Sequence, residues 1–237
     1  MKKHSIYYTD KRAFTLAEVL ITLGIIGVVA ALTLPTLMAN YRKHVVVTKL
    51  QKIYSVMNQA INMSNAEYGD VSGWVKDCGI SITPTCTLQE AKDWFNMYIG
   101  KHLEIVKIED ISSSENSVGA FRIYLKDGGI LQVNAYLYDM TYYINSKAIE
   151  NKQNGINTFG FRFNPVLLEH QKTEGWIRDT KTAIKPTFEP YTVYWDGTRE
   201  QLIEGSNYSC GGKYHTFCAK LIQVDGWRIS KDYPLKF

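Results

Sequence analysis

The sequence lacks the short motifs that usually carry catalysis or nucleotide binding. It has no HExxH zinc motif, no GxSxG nucleophile elbow, no GxxxxGK[ST] phosphate loop and no GxGxxG dinucleotide fingerprint. Its five histidines are scattered without metal-ligand spacing, at His4, His44, His102, His170 and His215. Neighbouring acids such as Glu109 and Asp110 are expected on a solvated face. The sequence therefore predicts neither an enzyme nor a metal centre.

Basic residues are not in excess outside the first thirteen positions. The formal net charge is +4, and residues 1–13 contribute +3 of it, because they include four Lys or Arg residues and one Asp. Residues 14–237 are left with +1, too little for a broad positive surface. Nucleic acid is therefore not an expected partner.

Cysteine is scarce, and its four copies fall in two local pairs, Cys78/Cys86 and Cys210/Cys218. Neither pair has CxxC or Cys/His metal spacing. An even number in two local pairs favours two disulfides, each closing a loop worth roughly 2.5 kcal/mol in the chain-entropy model. This interpretation places the protein in an oxidising compartment. The alternative is four free thiols in a cytosolic protein.

Charged residues are absent from Val19 to Ala39. A helix over residues 14–39 would extend about 39 Å at 1.5 Å per residue. That length is enough to cross a hydrocarbon core of about 30 Å. The positive-inside tendency places the amino terminus in the cytoplasm and residues 40–237 outside. The basic residues that precede the run are Lys2, Lys3, Lys11 and Arg12.

Other structures could also produce this apolar run. It could be a secretory signal cleaved after Val29-Ala30-Ala31, which would make the mature chain begin near Leu32. It could be a plain single-pass anchor, or a buried core helix, although its length and lack of polar residues disfavour the last. None of these explains Glu18, because a carboxylate costs about 2.5–3.5 kcal/mol at a membrane helix centre and less near the interface.

The residues around Glu18 form a recognisable pattern. Residues 11–18 have the sequence KRAFTLAE, which combines basic residues, a small residue and Phe-Thr-Leu-x-Glu before a long apolar helix. This pattern resembles the class III signal of type IV pilins and type II secretion pseudopilins. The resemblance implies that a prepilin peptidase cleaves between Ala13 and Phe14 and methylates the new amino group of Phe14. Most members have Gly before the cleavage site, so processing after Ala13 could be slower.

The resemblance also assigns roles within the apolar helix. Glu18 would become the fifth mature residue, where the family's glutamate is thought to meet a terminal amine of its own or a neighbouring subunit and so promote assembly. Gly24, Gly27 and Pro35 match family positions and are candidates for helix melting in the filament. Pro35 cannot donate a backbone hydrogen bond. Gly and Pro are also common in ordinary membrane helices.

The apolar pattern after residue 39 predicts an amphipathic helix over residues 40–69, ending near Gly69. Together with residues 14–39 it would form the long bent helix of the pilin fold. Its apolar side is expected to pack on a globular domain. That side consists of Val46, Leu50, Ile53, Met57, Ala60 and Ile61.

Residues 70–237 are predicted to form an exported α+β head. LQEAKDWFNMYIG is a helical segment, FRIYLKDGGILQVNAYLY alternates like a β-hairpin, and TFGFRF is a strand. Two more Asp-Gly turns fall in YTVYWDGTREQLI and LIQVDGWRI. These segments suggest an antiparallel sheet packed against the long helix. The Cys210–Cys218 loop resembles the carboxy-terminal disulfide region of many pilins.

Calcium is the one cofactor that the family suggests, since some pseudopilins bind it in a carboxy-terminal loop. Oxygen-rich loops suit this cation. The candidate acids Asp127, Asp196 and Asp225 each stand in an Asp-Gly turn, where turn chemistry already explains them. The segment NKQNGINTFGF has the shape of such a loop but contains no acid. The sequence therefore predicts no cofactor, with calcium left open.

The resemblance implies a structural subunit of a type II secretion or type IV pilus filament, and the length favours a minor one. Expected partners are prepilin peptidase, an assembly ATPase, a membrane platform protein and other subunits. The subunit would sit in the inner membrane with an exported head and later join an extracytoplasmic filament. Alternatives are a pilin-anchored adhesin or DNA-uptake module, and a secreted soluble domain. The sixteen tyrosines and five tryptophans could serve core packing or a binding surface.

Overall fold

The computed structural model describes residues 15–74, 87–111, 119–134, 139–163 and 187–237. The chain divides into two compact units, Met1–Arg42 and Lys43–Phe237, and the boundary falls inside the helix α1 (Leu16–Tyr68). The helix ends where the sequence predicts, because Gly69 follows it with a φ of 83°. Glycine adopts this left-handed conformation without a Cβ clash, which makes it a common helix stop.

The second unit contains the remainder of α1, short helices and one six-stranded sheet. The helices are α2 (Leu88–Tyr98), α3 (Lys147–Glu150), α4 (Arg199–Ile203) and α5 (Cys218–Val224), with 3-10 turns at Val71–Trp74 and Gly100–His102. The strands are β1 (Ile105–Ile111), β2 (Ala120–Leu125), β3 (Ile130–Asn134), β4 (Asp139–Tyr143), β5 (Thr158–Phe163) and β6 (Phe188–Pro190). The predicted α+β class is confirmed.

The sheet is an antiparallel meander in which each strand pairs with the next along the chain. The predicted hairpin corresponds to β2 and β3, with Phe121 opposite Val133 and Ile123 opposite Leu131. These four side chains are fully buried. Gly128 turns the chain with a φ of 82°. Alternation therefore identified both the strands and the face that they bury.

The apolar side of α1 forms part of the core of the second unit. All six residues predicted for it are at most 2% exposed, and they join one cluster with inward-facing residues of the sheet. Burying a large aliphatic side chain stabilises a fold by roughly 1.5–3 kcal/mol. Lys52 and Gln59, which lie off this side, are exposed. The helical periodicity in the sequence thus marks the packing face of the helix.

Asp127 in the β2–β3 turn links the hairpin to α1. Its carboxylate lies 3.1 Å from Lys52 Nζ and 3.7 Å from Lys49 Nζ, and Lys49 also donates to its backbone carbonyl. Burial raises the pKa of Asp127, but the hydrogen bond from Gly129 N and the two lysines outweigh it, so the pKa lies below its ordinary value. The turn residue therefore also fixes the hairpin against the helix.

The other two Asp-Gly turns do not connect strands, which corrects their use as evidence for the sheet. Asp196 and Gly197 precede α4, where Thr198 accepts a hydrogen bond from Gln201 N and caps the helix. Asp225 and Gly226 follow the end of α5. An Asp-Gly pair supplies a tight turn in either setting, so the pair alone does not distinguish a hairpin from a helix terminus.

The outer strands of the sheet are protected in different ways. In β1 the pairing register shifts between Ile105 and Lys107, which is the irregularity of a β-bulge. Beside β6, the Asn58 side chain of α1 donates from Nδ2 to Phe188 O at 2.9 Å and accepts from Phe188 N at 3.0 Å. The Asn58 amide thus satisfies both main-chain groups of a buried residue and takes the place of a further strand.

Replacing Asn58 by Ala should lower the free energy of unfolding by about 1–3 kcal/mol, because it leaves a buried backbone N–H and C=O without partners. Urea unfolding of the full chain in detergent measures this change. Gln59→Ala is the matched control, since that amide is exposed and bonds Ser55 of the same helix. Equal unfolding midpoints for Asn58→Ala and Gln59→Ala would contradict the assigned role.

Candidate functional site

The first turn of α1 is closed by Thr15 and Glu18. The Glu18 carboxylate accepts hydrogen bonds from Thr15 N at 2.9 Å and from Thr15 Oγ1 at 2.8 Å, while Glu18 N donates to Thr15 Oγ1 at 3.2 Å. This reciprocal arrangement is a capping box. The acid that sequence reasoning assigned to assembly therefore also has a partner within its own helix. Ala13 and Phe14, the predicted processing residues, lie outside the described residues.

The following part of α1 exposes a continuous apolar surface. The side chains of Leu16, Val19, Leu20, Ile21, Leu23, Ile25, Ile26, Val28, Val29, Leu32, Leu34, Leu37 and Met38 are between 41% and 78% exposed. The helix is long and apolar enough to cross a membrane, and none of its most apolar window is buried. Thr22 and Thr33 direct their hydroxyls to the carbonyls of Val19 and Val29, both at 2.9 Å. Their polar atoms are thus satisfied inside the helix, as an apolar environment requires.

The three candidates for helix melting lie within this exposed part of α1. Gly24 and Gly27 have no atom within 4 Å of the position that a Cβ would take, so neither is required by close packing in this structure. Pro35 stands inside the helix, where it removes one backbone donor. Helix melting at these residues remains a prediction.

The carboxy-terminal cysteines are joined as predicted. Cys210 and Cys218 form a disulfide with a Cα–Cα distance of 4.5 Å, and both residues are buried. The bond closes the segment that precedes α5. Cys78 and Cys86 lie outside the described residues, so their pairing remains a prediction.

The three acids considered for calcium have partners inside the protein. Asp127 pairs with two lysines, and Asp196 accepts from Thr198 N at 2.9 Å and from Thr198 Oγ1 at 2.7 Å. In the segment NKQNGINTFGF, Asn157 bonds Gln153 N and Asn151 O of the same loop. Within the described ranges no group of three His, Cys, Asp or Glu residues could hold a metal ion. The calcium hypothesis therefore gains no support from these acids.

The third acid, Asp225, belongs to an ion-pair network around Arg199. Arg199 Nε and Nη2 lie 2.6 and 2.8 Å from the Asp225 carboxylate, and Arg199 Nη1 lies 2.8 Å from Asp232. Ser230 adds a hydrogen bond of 2.7 Å to Asp225. Arg199 is the main cause that lowers the pKa of both carboxyls below the ordinary range. This guanidinium ties the chain beyond α5 to the start of α4.

A group of tyrosines near the disulfide was not located by sequence analysis. The ring of Tyr208 lies 5.8 Å from Tyr194 and 5.6 Å from Tyr214, centroid to centroid. Tyr194 and Tyr214 are about half exposed, at 47% and 44%. The ring centroid of Tyr191 lies 6.4 Å from that of Tyr208. The abundance of tyrosine was the signal that the sequence offered, since the rings come from two loops that are separate in the sequence.

Comparison with known proteins assigns the greater part of the chain to a family. Residues 36–237 match DUF6613, which is described as a family of unknown function. The chain belongs to this family. Residues 9–34 match the prokaryotic N-terminal methylation motif. No curated protein and no solved structure matches the chain.

The methylation motif confirms the resemblance to type IV pilins and pseudopilins. In this chain the motif covers KRAFTLAE and most of the exposed apolar helix. The long helix followed by an antiparallel sheet is a pilin-like architecture. The motif indicates a structural subunit and not an enzyme. It also implies processing by prepilin peptidase and assembly with other pilin subunits. The apolar helix fits a pilin anchored in the inner membrane.

The Arg199 network should make stability depend on pH. Because the folded pKa values of Asp225 and Asp232 are depressed, their contribution is present above the unfolded value of about 3.9 and is lost as pH falls below it. Arg199→Gln should therefore lower the urea midpoint at pH 7, and the difference from the wild type should shrink below about pH 4.

Urea titrations of the full chain between pH 2.5 and 7 measure this effect. Arg228→Gln is the control, since Arg228 Nε donates to the backbone carbonyl of Asp225, at 3.4 Å, and not to its carboxylate. A deficit of Arg199→Gln that stays constant over this range of pH would show that the two carboxylates do not carry the interaction.

Proposed function

We propose that the protein is a minor pilin or pseudopilin, a structural subunit of a type II secretion or type IV pilus filament. The observation that carries the proposal is the surface of α1. Within the methylation motif the helix exposes apolar side chains, whereas in its later part, from Val46 to Ile61, the apolar side is buried in a folded unit. A helix of this kind anchors a water-soluble domain in lipid or in an apolar filament core.

The proposed maturation begins with cleavage between Ala13 and Phe14 by prepilin peptidase, followed by methylation of the Phe14 amine. Residues 1–13 would be the leader, 14–39 the membrane and filament-core segment, 40–69 the amphipathic helix and 70–237 the head. An assembly ATPase and a membrane platform protein would then move the subunit from the inner membrane into the filament. The amino terminus would face the cytoplasm, in keeping with the four basic residues before the apolar run.

Glu18 would change partners during assembly. In the structure its carboxylate is satisfied by Thr15 N and Oγ1, which lowers the cost of placing it beside an apolar environment. A terminal amine of another subunit offers full opposite charge, and the attraction between two ions is much stronger where water is excluded. The capping box would therefore hold Glu18 in the free subunit, and the amine of Phe14 from a neighbour would replace it in the filament.

A pilin-anchored binding module is the second candidate function. The observation that favours it is the exposed pair Tyr194 and Tyr214 on the second unit, because aromatic side chains are enriched at recognition surfaces. The two functions are compatible, since a filament subunit can present a binding surface. The secreted-domain alternative instead requires that the apolar helix be removed after Ala31.

The amino-terminal peptide of the protein purified from its host's membranes should begin with N-methylated Phe14. Mass spectrometry of that peptide tests the proposal directly. A peptide that begins near Leu32 would identify a secreted domain, and an intact Met1 from a host that has the peptidase would identify a simple anchor. Ala13→Gly is a useful companion variant, since it should mature at least as fast as the wild type.

Replacing Glu18 by Ala should leave cleavage after Ala13 intact and reduce filament assembly by about tenfold or more, as expected when a charge pair in an apolar setting loses one partner. Cross-linking of multimers in whole cells measures assembly, and immunoblotting measures cleavage. Thr15→Val separates the two roles of Glu18, because it removes the capping hydroxyl and keeps the carboxylate. Equal assembly defects in Glu18→Ala and Thr15→Val would mean that Glu18 acts only through its own helix.

A further inference from the structure

The tyrosine row, defined as Tyr194, Tyr208 and Tyr214, forms an aromatic surface on the second unit. Neighbouring ring centroids are 5.8 and 5.6 Å apart, a spacing comparable with the length of one pyranose residue. The two outer rings are exposed and the middle ring is half-buried. One ring comes from the segment after β6 and two from the segment before α5. Core packing therefore explains the middle ring better than the outer two.

The segment that carries Tyr208 and Tyr214 is held in one conformation. The Cys210–Cys218 disulfide closes it, Tyr214 N donates to Asn207 O at 2.8 Å, and Phe217 N donates to Tyr208 O at 2.9 Å. A Cβ on Gly212 would lie 2.1 Å from a backbone oxygen, so the segment is also tightly packed. A surface fixed in this way loses little conformational entropy when it binds a ligand.

Two residues along this surface have an unfavourable backbone conformation. Tyr194 has a φ of 65° and His215 a φ of 54°, in the left-handed region that glycine occupies without strain. A bulky residue persists there only when the surrounding structure compensates, and such residues cluster at functional sites. The chain thus keeps a tyrosine and a histidine at positions that favour glycine.

An open cleft of about 530 Å³ lies next to the main chain of Tyr214, since the following residue, His215, is part of its lining. The two are connected where Asn154 Nδ2 donates to Tyr214 O at 3.1 Å. His215 Nδ1 lies 2.6 Å from Cys210 O, and because a carbonyl only accepts, Nδ1 carries the hydrogen and Nε2 is left as an acceptor in the neutral ring. The cleft is lined by Lys152, Gln153, Asn154, Ile156, His215 and Leu235.

Two lysines belong to this site. Lys152 is in the lining, Lys213 Nζ lies 5.3 Å from the centre of the Tyr214 ring, and no carboxylate side chain is among the lining residues. The amides of Gln153 and Asn154 add neutral hydrogen-bonding groups. The site therefore combines aromatic faces, amides, an imidazole and two lysines.

We propose that the tyrosine row and the adjoining cleft bind an acidic glycan, a polysaccharide whose sugars carry carboxylate groups. The negative face of a tyrosine ring attracts the weakly positive C–H groups of a pyranose. The amides and His215 would bond the sugar hydroxyls, and Lys152 and Lys213 would pair with carboxylates. Polynucleotides fit less well, because they are bound along extended basic grooves, whereas the described site offers two lysines and residues 14–237 have a net charge of only +1.

Calorimetric titration of the detergent-solubilised full chain tests this proposal, with hexagalacturonate as the probe. We expect binding that weakens as salt is raised, because part of the attraction is between exposed charges. Neutral maltohexaose should bind more weakly. A deoxythymidine 12-mer that binds more tightly than hexagalacturonate would overturn the proposal in favour of a nucleic-acid surface, and the absence of hexagalacturonate binding at millimolar concentration would overturn it altogether.

Three variants locate the site. Tyr194→Gly removes a stacking ring and relieves the backbone strain, so the affinity should fall by about tenfold while the melting temperature stays level or rises. Lys152→Gln should reduce the affinity and its salt dependence without affecting the fold. Tyr41→Ala, which removes an exposed tyrosine from the other unit, should bind like the wild type. Wild-type affinity in both Tyr194→Gly and Lys152→Gln would overturn the assignment, whether or not the protein forms filaments.

Discussion

The contact between α1 and the sheet is the interaction on which the whole second unit depends. The side of α1 from Val46 to Ile61 and the inward residues of β2 and β3 are buried against one another in a single cluster. Without the helix, this cluster would lose six buried apolar residues, and apolar side chains of the head would become exposed. Since exposed apolar surface favours aggregation, the head requires the helix for its own stability. The same helix is therefore both a core element of the head and the element that continues into the apolar segment.

The amino-terminal part of α1 is exposed and requires apolar surroundings outside the core of the protein. Its apolar side chains are exposed around the whole helix, and its threonine hydroxyls bond carbonyls of the same helix. Such a surface is stable only in lipid or against other apolar helices. The membrane and the core of a filament both meet this requirement, so a subunit can pass from one to the other without a change in its own surface. Glu18 is the exception, because its charge needs a partner in both places.

The features that were predicted from the sequence depend on local periodicity. The helical pattern located the buried side of α1, and strict alternation located β2 and β3. Strand β1 was missed because Lys107, Glu109 and Asp110 interrupt the apolar pattern of a strand at the edge of the sheet. The turns at Asp196 and Asp225 were assigned to the sheet although they flank helices. In each of these cases the neighbouring element in space, which the local sequence does not reveal, decides the outcome.

The difference between local sequence patterns and contacts made by folding also explains why the anchor was predicted from the sequence and the tyrosine row was not. The methylation motif occupies residues 9–34, and its chemistry is contained in consecutive residues that face a peptidase, a lipid or another subunit. The family match begins at residue 36, still inside α1, so the two regions meet within one helix and not at a linker. In the head, Tyr194 and Tyr214 meet Tyr208 only because the sheet and the disulfide bring two loops together. The recognition proposed for the head would therefore be a property of its folded surface, and direct binding measurements are the means to establish it.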